Sequence, residues 1–240
     1  MGGRPMTILA IDTCLGAISV AIHRGAADAP LLAESYEDLA TGHAERLMPA
    51  IAAAMSSAGL AFTYLSRLAV TLGPGTFTGV RTGIAAARAI RLAAGLDIVG
   101  LSSLAVMAER VFATRTQSAI DRPVLVAVDA RRGQLYVQLF ATDALTASSP
   151  PLEVTPQDAL SLCKAPAVTI AGTGARLIAD AATASRLSLD IEIVAERLQP
   201  YAGDLARLAG RLTPVRDILP LYLRPPDAKP QAGQRLTRVS

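Results

Sequence analysis

The 240-residue chain has only two cysteines and two histidines. Cys14 and Cys163 stand far apart, with no second pair and no nearby histidine. That excludes a disulfide framework or a Cys/His metal motif and leaves two buried thiols of a reducing compartment. His23 and His43 have no Ser or Cys neighbour with which to form a nucleophile and base, and no HExxH stretch occurs, which removes metallopeptidase chemistry. His23, before Arg24 and Gly25, reads as a solvated strand-edge residue; His43 reads as a helix-start residue that caps the helix or faces a partner. Long apolar runs are missing too. Arg88, Arg91 and Asp97 interrupt the most hydrophobic stretches, so none approaches the roughly 20 residues of a membrane span. Strand-like sequence starts at Met6 with no small-residue cleavage pattern before it, so a cytoplasmic chain is expected. A net charge of +3, spread over both signs, permits a nucleic-acid partner without defining one.

What is present is a strand, turn, strand pattern that occurs twice. Residues 7–11 (TILAI) and 17–22 (AISVAI) flank the turn from Asp12 to Gly16, and 124–128 (VLVAV) and 135–140 (LYVQLF) flank the turn from Asp129 to Gly133. After the first pair the sequence predicts a strand at 31–36. A helix follows with Leu47, Met48, Ile51 and Met55 at helical spacing, kinked or begun near Pro49 and stopped by Gly59. Next come a strand at 67–72, a glycine-rich loop, an Ala-rich helix over 80–94, a strand at 98–101, and a helix capped by Ser102 or Ser103 that closes the first lobe. After the second pair come a helix capped by Thr155 with Pro156 at its first position, a strand at 168–171, a Gly172-Thr173-Gly174 turn into a helix, and a last helix after Pro200. The organisation expected is a lobe over 6–113, a second over 114–224 and a basic, flexible tail over 225–240.

The loop Gly73-Pro74-Gly75-Thr76-Phe77-Thr78-Gly79-Val80-Arg81 lies where a strand feeds a helix, a place where backbone N–H groups hold anions. It is no Walker loop, since no Lys-Ser/Thr pair follows the last glycine. A tight turn with close backbone approach is the other reading. Asp12, Thr13, Asp129 and Gly133 at the two hairpin tips, with Gly172 and Gly174, sit in the chain order of a magnesium and nucleotide clamp facing one cleft. Each alone also fits ordinary turn chemistry. Arg131, Arg132, Arg207 and Arg211 are candidate phosphate contacts.

Four runs resemble the TsaB family in order: ILAIDT at 8–13, GPGTFTGVRTG at 73–83, AVDARRGQLY at 127–136 and YLR at 222–224. The resemblance spans 6–224. It implies an α/β, actin-like (ASKHA, ribonuclease H-like) duplicated fold of two mixed-sheet lobes. It also implies a non-catalytic scaffold that docks the catalytic paralogue TsaD as a heterodimer, works with the TsaE ATPase, and meets tRNA through the complex. Threonylcarbamoyl transfer to the adenosine next to the anticodon would then be TsaD chemistry. The TsaD metal-binding histidines correspond here to Ser103 and Met107, neither of which replaces imidazole. No tightly bound cofactor is expected in this chain, and ATP or ADP with magnesium is expected only in the complex. The docking residues implied lie in the first lobe: His43, Leu47, Met48, Ile51, Met55, Arg81, Ile84 and Arg88. An isolated chain could pair with its own copy through the same face. The alternative is an active actin-like, ATP-binding kinase or ATPase built on Asp12 and Asp129.

Overall fold

The computed structural model describes residues 6–26, 29–116 and 121–224, so the expected tail lies outside the described residues. The first sheet is built from β1 (Ile8–Asp12), β2 (Ala17–His23), β3 (Leu31–Asp38), β4 (Arg67–Thr71) and β5 (Asp97–Leu101), in the order β3-β2-β1-β4-β5. The second contains β6 (Val124–Asp129), β7 (Leu135–Phe140), β8 (Leu152–Val154), β9 (Ala167–Ala171) and β10 (Asp190–Val194), in the order β10-β9-β6-β7-β8. Each strand of the first sheet has its counterpart in the second. A hairpin pairs antiparallel, its first strand pairs parallel with the fourth, and the fifth pairs parallel beyond it. The duplicated actin-like α/β architecture is therefore present in full.

Side-chain size decides what each face carries. Along β1, β2 and β4 the outward alternation puts Leu9, Ile11, Val20, Ile22, Leu68 and Val70 on one face. Helices α1 (His43–Ser57) and α2 (Phe77–Ala94) bury Leu47, Ile51, Met55, Val80 and Ile84 against that face. The opposite face shows small residues, Ala10, Ala21 and Ala69, which let α6 (Ala202–Ala209) come close through Ala202, Ala206 and Ala209. Two polar strand residues hold that helix at its ends. Ser19 Oγ accepts the Ala202 N–H at 2.9 Å, and the buried Arg67 donates through Nη1 to the Ala209 and Leu212 carbonyls at 2.7 and 2.9 Å. A cation at a helix C-terminus satisfies carbonyls the helix cannot bond itself.

Helix α3 (Ser103–Thr114) corrects the expected lobe boundary. Instead of closing the first lobe, it packs Leu104, Met107 and Val111 on Val124, Val126 and Phe140 of the second sheet, opposite α4 (Pro156–Leu160) and α5 (Ala175–Ala184). Each sheet is thus closed by a helix from the other half of the chain. Arg110 of α3 reaches Asp204 of α6 at 2.7 Å, linking the two exchanged helices. The segment after α6 returns to the first lobe as a strap. Val215 N–H bonds Ile98 O at 2.9 Å, Ile218 enters the core, and Leu221 N–H bonds Leu72 O at 2.7 Å.

Other expectations also shift. Pro49 lies inside α1, which starts six residues earlier at His43, and α2 starts at Phe77 instead of 80. His23 is fully buried, not solvated: its Nε2 lies 2.7 Å from Ala29 O and its Nδ1 accepts the Gly25 N–H at 3.0 Å. Among the described residues no helix is long and apolar enough to cross a membrane.

Candidate functional site

The β1 and β6 hairpins, the glycine loop and the strap meet around a cleft of about 810 Å³ between the lobes. Gly75, Thr76, Phe77, Asp129, Arg131, Arg132, Thr173, Tyr222 and Arg224 are among its lining. The sequence motifs are brought together there, but their glycines and acids do different work from that expected.

Asp12 does not face the cleft. It is fully buried, its Oδ1 accepts from the Thr71 hydroxyl and, at 3.3 Å, from Cys14 N–H, and its Oδ2 is buried without a partner. Burial outweighs these hydrogen bonds and pushes its pKa up to about 7. The same burial, with the nearby Asp12 charge, pushes the Cys14 thiol up as well. Below the carboxyl's ordinary value of 3.8 the folded and unfolded chains are both protonated. Between there and about 7 only the unfolded chain ionises, so stability falls as pH rises. Asp12 alone contributes a loss of about 4 kcal/mol across that window. Urea unfolding at a series of pH values is expected to show this slope, and Asp12→Asn to flatten it.

The glycine loop is closed against the hairpin it was expected to complement. Thr76 N–H donates to Cys14 O at 2.7 Å, and Thr13 Oγ1 donates to Gly79 O at 2.6 Å. A Cβ added at Gly75 or Gly79 would lie 2.1 Å from the Cys14 or Thr13 carbonyl oxygen, respectively. The Thr76 hydroxyl caps α2 by accepting the Gly79 N–H at 3.1 Å, while Thr78 is exposed on the first turn of α2. Gly73 O accepts the Ser103 N–H at 2.8 Å, and Ser103 Oγ donates to Pro74 O at 2.6 Å. Met107 is wholly buried. The two positions that correspond to TsaD histidines are thus part of the packing.

In the second lobe, Gly174 N–H bonds Ala127 O at 3.0 Å, and a Cβ at Gly172 would lie 2.4 Å from that same oxygen. The turn rests on β6 and does not form an open adenosine seat. Asp129 is exposed and lines the cleft; its Oδ1 accepts the Arg131 N–H at 2.7 Å, and its own N–H is accepted by Thr173 Oγ1 at 2.9 Å. Arg131, Arg132 and Gly133 follow with φ of 63°, 56° and 73°, three left-handed residues in a row at an exposed tip. The magnesium nucleotide that an actin-like fold implies does not fit these residues. One carboxylate is sealed in the core, and both glycine turns are filled by neighbouring backbone. Among the described residues no three His, Cys, Asp or Glu side chains converge as a metal site.

Sequence reasoning missed the clasp. Arg81 Nε donates to the Tyr222 hydroxyl at 2.7 Å, and its guanidinium lies 3.6 Å from the centre of the Phe77 ring, which stacks on Tyr222 at 5.6 Å. Two residues on, Arg224 bonds Glu153 through Nε at 2.7 Å and Ala130 O through Nη1 at 3.4 Å. The YLR run therefore ties the glycine loop of one lobe to the arginine turn of the other. The i, i+4 spacing of Phe77 and Arg81 on one helix was its only local signal. Arg88 is used similarly, bonding Asp217 at 2.9 Å and the Ile218 carbonyl at 2.5 Å. Arg207 pairs with Asp204 at 2.8 Å, and Arg211 lies 3.9 Å from Asp143. Arg224→Ala is expected to cost about 1–2 kcal/mol in urea unfolding, between an exposed pair and a fully buried one.

Five of the expected docking residues are core. His43, whose Nε2 lies 3.1 Å from Leu15 O, is 8% exposed; Leu47, Ile51, Met55 and Ile84 are 1, 0, 4 and 3% exposed. The helical periodicity was read correctly, but that stripe faces the chain's own sheet. Met48, at 50% exposure, points outward.

Two sheets of identical order closed by exchanged helices define an actin-like, ASKHA-type protein. The (R)-2-hydroxyglutaryl-CoA dehydratase component A of Acidaminococcus fermentans shares the fold at a TM-score of 0.50 and 13% identity, over 86% of this chain and 98% of that one. Residues 37–149 match the TsaD family, tRNA N6-adenosine threonylcarbamoyltransferase. An uncharacterized protein of Mycobacterium tuberculosis is 31% identical over 94% of this chain and 95% of its own length. YeaZ from Pseudomonas aeruginosa superposes with a TM-score of 0.75 at 29% identity, over 91% of this chain and 100% of that one. The Escherichia coli tRNA threonylcarbamoyladenosine biosynthesis protein TsaB is 37% identical over 58% of this chain and 56% of its own length. The chain belongs to the TsaB family.

Proposed function

We propose that this chain is an accessory subunit of tRNA threonylcarbamoyladenosine biosynthesis that acts by docking a TsaD-type catalytic paralogue. The observation that carries this reading is the sealed catalytic cradle. Asp12 is buried and Gly75 and Gly79 are packed on the hairpin, so the actin-like frame is kept while its phosphate clamp is filled. Catalysis belongs to the partner, and a TsaE-type ATPase supplies turnover to the complex. ATP or ADP with magnesium is bound by those subunits, and tRNA is met through the assembly.

The docking face is the outer side of α1 and α2. Ala44, Met48 and Ala52 recur four apart on α1, and Ala85, Ala89 and Leu92 line α2, all exposed. Small side chains let a second helix pair approach closely, and a pliable methionine fills uneven gaps. The inner sides of α1 and α2 close the sheet, so this face is free for a related lobe or, in the isolated chain, for a second copy. Sedimentation of this chain with a TsaD partner is expected to give a heterodimer at micromolar concentration; two independent species at that concentration would overturn the docking reading.

A further inference from the structure

We propose that the interlobe cleft binds one nucleoside monophosphate unit without a metal, its base on the Phe77–Tyr222 stack and its phosphate at Arg131 and Arg132. The volume of about 810 Å³ lies in the range of small-molecule sites. On one wall, Phe77 and Tyr222 remain 44% and 40% exposed although both line the cleft. Arg81 holds them rigid, through a guanidinium over one ring and a hydrogen bond to the other hydroxyl. Fixed aromatic faces beside an arginine are what an unpaired base stacks on.

The facing wall supplies the charge. Left-handed backbone costs a non-glycine residue about 1–2 kcal/mol, and here it is adopted by two successive arginines. Asp129 and the reciprocal bonds between Ala130, Arg131 and Gln134 enforce that conformation. Strain held in place by its surroundings, at a tip that lines a cleft, is characteristic of binding sites. The strap fixes the spacing of the two walls. Tyr222 and Arg224 are two residues apart, at most about 7 Å along an extended chain. Arg224 bonds the Ala130 carbonyl at the foot of the arginine turn. Ring and arginines thus stand at opposite ends of a single nucleotide. The exposed Asp129 carboxylate opposes a crowded triphosphate more than a single phosphate, and the sealed Asp12 offers no metal seat.

Two sources share this chemistry, a free 5′-mononucleotide and a nucleotide within single-stranded RNA. This inference goes beyond the docking reading, and its test uses the full chain alone, so it stands or falls separately. Binding of AMP and of a fluorescent single-stranded RNA oligomer is measured with EDTA present, for the natural chain, Phe77→Leu, Phe77→Tyr and Arg131→Ala/Arg132→Ala, with thermal melts confirming that each is folded. Phe77→Leu is expected to weaken binding about tenfold and Phe77→Tyr to restore it. The double arginine variant is expected to weaken RNA binding and to reduce its salt slope by about 1.4, for two phosphate contacts. Affinity for AMP matching that for RNA assigns the site to free nucleotide; RNA binding well above AMP assigns it to a strand. No saturable binding of either probe at millimolar concentration, binding that requires magnesium, or affinity unchanged in Phe77→Leu or in the double arginine variant would overturn the proposal.

Discussion

Met48→Asp combined with Ala89→Glu is expected to abolish heterodimer formation with a TsaD partner, and with it threonylcarbamoyl transfer, while leaving the isolated chain folded. Both positions are exposed on adjacent helices, so neither substitution opens a cavity or buries a charge in the free chain, and its stability should change by no more than about 0.5 kcal/mol. In the complex each carboxylate would be buried on a face with no basic residue among its outward alanines. Leaving one buried charge unpaired at an interface costs about 2–5 kcal/mol, and two together exceed a hundredfold in affinity. Sedimentation measures the association and circular dichroism the fold. The same substitution at Leu47 would be uninformative, because Leu47 is 1% exposed and its loss unfolds the lobe.

Gly75→Ala and Gly79→Ala are each expected to destabilise the chain by about 3 kcal/mol or more, at the upper end of overpacking. In each case the new methyl group meets a hairpin carbonyl oxygen at 2.1 Å and no flexible side-chain end can yield to it. Relief requires the loop to leave the hairpin and break the Thr76 to Cys14 hydrogen bond. Gly59→Ala is the comparison. It sits at φ 63° after α1 with nothing within 4 Å of an added Cβ, so only its left-handed backbone opposes the change, at about 1 kcal/mol. Urea unfolding of the three variants separates close approach from backbone freedom. If all three cost the same, the glycine loop is not packed as described.

Local signals were enough for the frame and not for the wiring. The two hairpins, the glycine loop and the parallel strands were legible because β-branched runs, Asp-Gly turns and helical spacing are properties of neighbouring residues. The assignment of helices to sheets was not. Nothing in the apolar stripe of α3 says that its partner is Val126 instead of Val99, because both sheets offer similar surface. Ser19 and Arg67 looked like ordinary polar strand positions, yet they cap α6 about 140 residues or more away. Asp12 and Asp129 carried the same residue type in the same kind of turn. One was sealed by Thr71 and Cys14 and the other left at the cleft, a difference set by the glycine loop that closes over only the first hairpin. The docking stripe failed for a related reason. Periodicity finds the face that is apolar, and in a two-layer lobe that face is taken by the chain's own sheet.

The central claim is that this chain contributes a surface and no catalytic group. It is tested most directly by threonylcarbamoyl transfer to unmodified tRNA from threonylcarbamoyl-adenylate, with TsaD and TsaE present and this chain supplied or omitted. The account predicts that transfer depends on the chain, that Asp129→Asn retains it, and that the chain alone neither transfers nor hydrolyses ATP. Transfer indifferent to the chain, together with ATP hydrolysis by the isolated chain that Asp129→Asn removes, would contradict it.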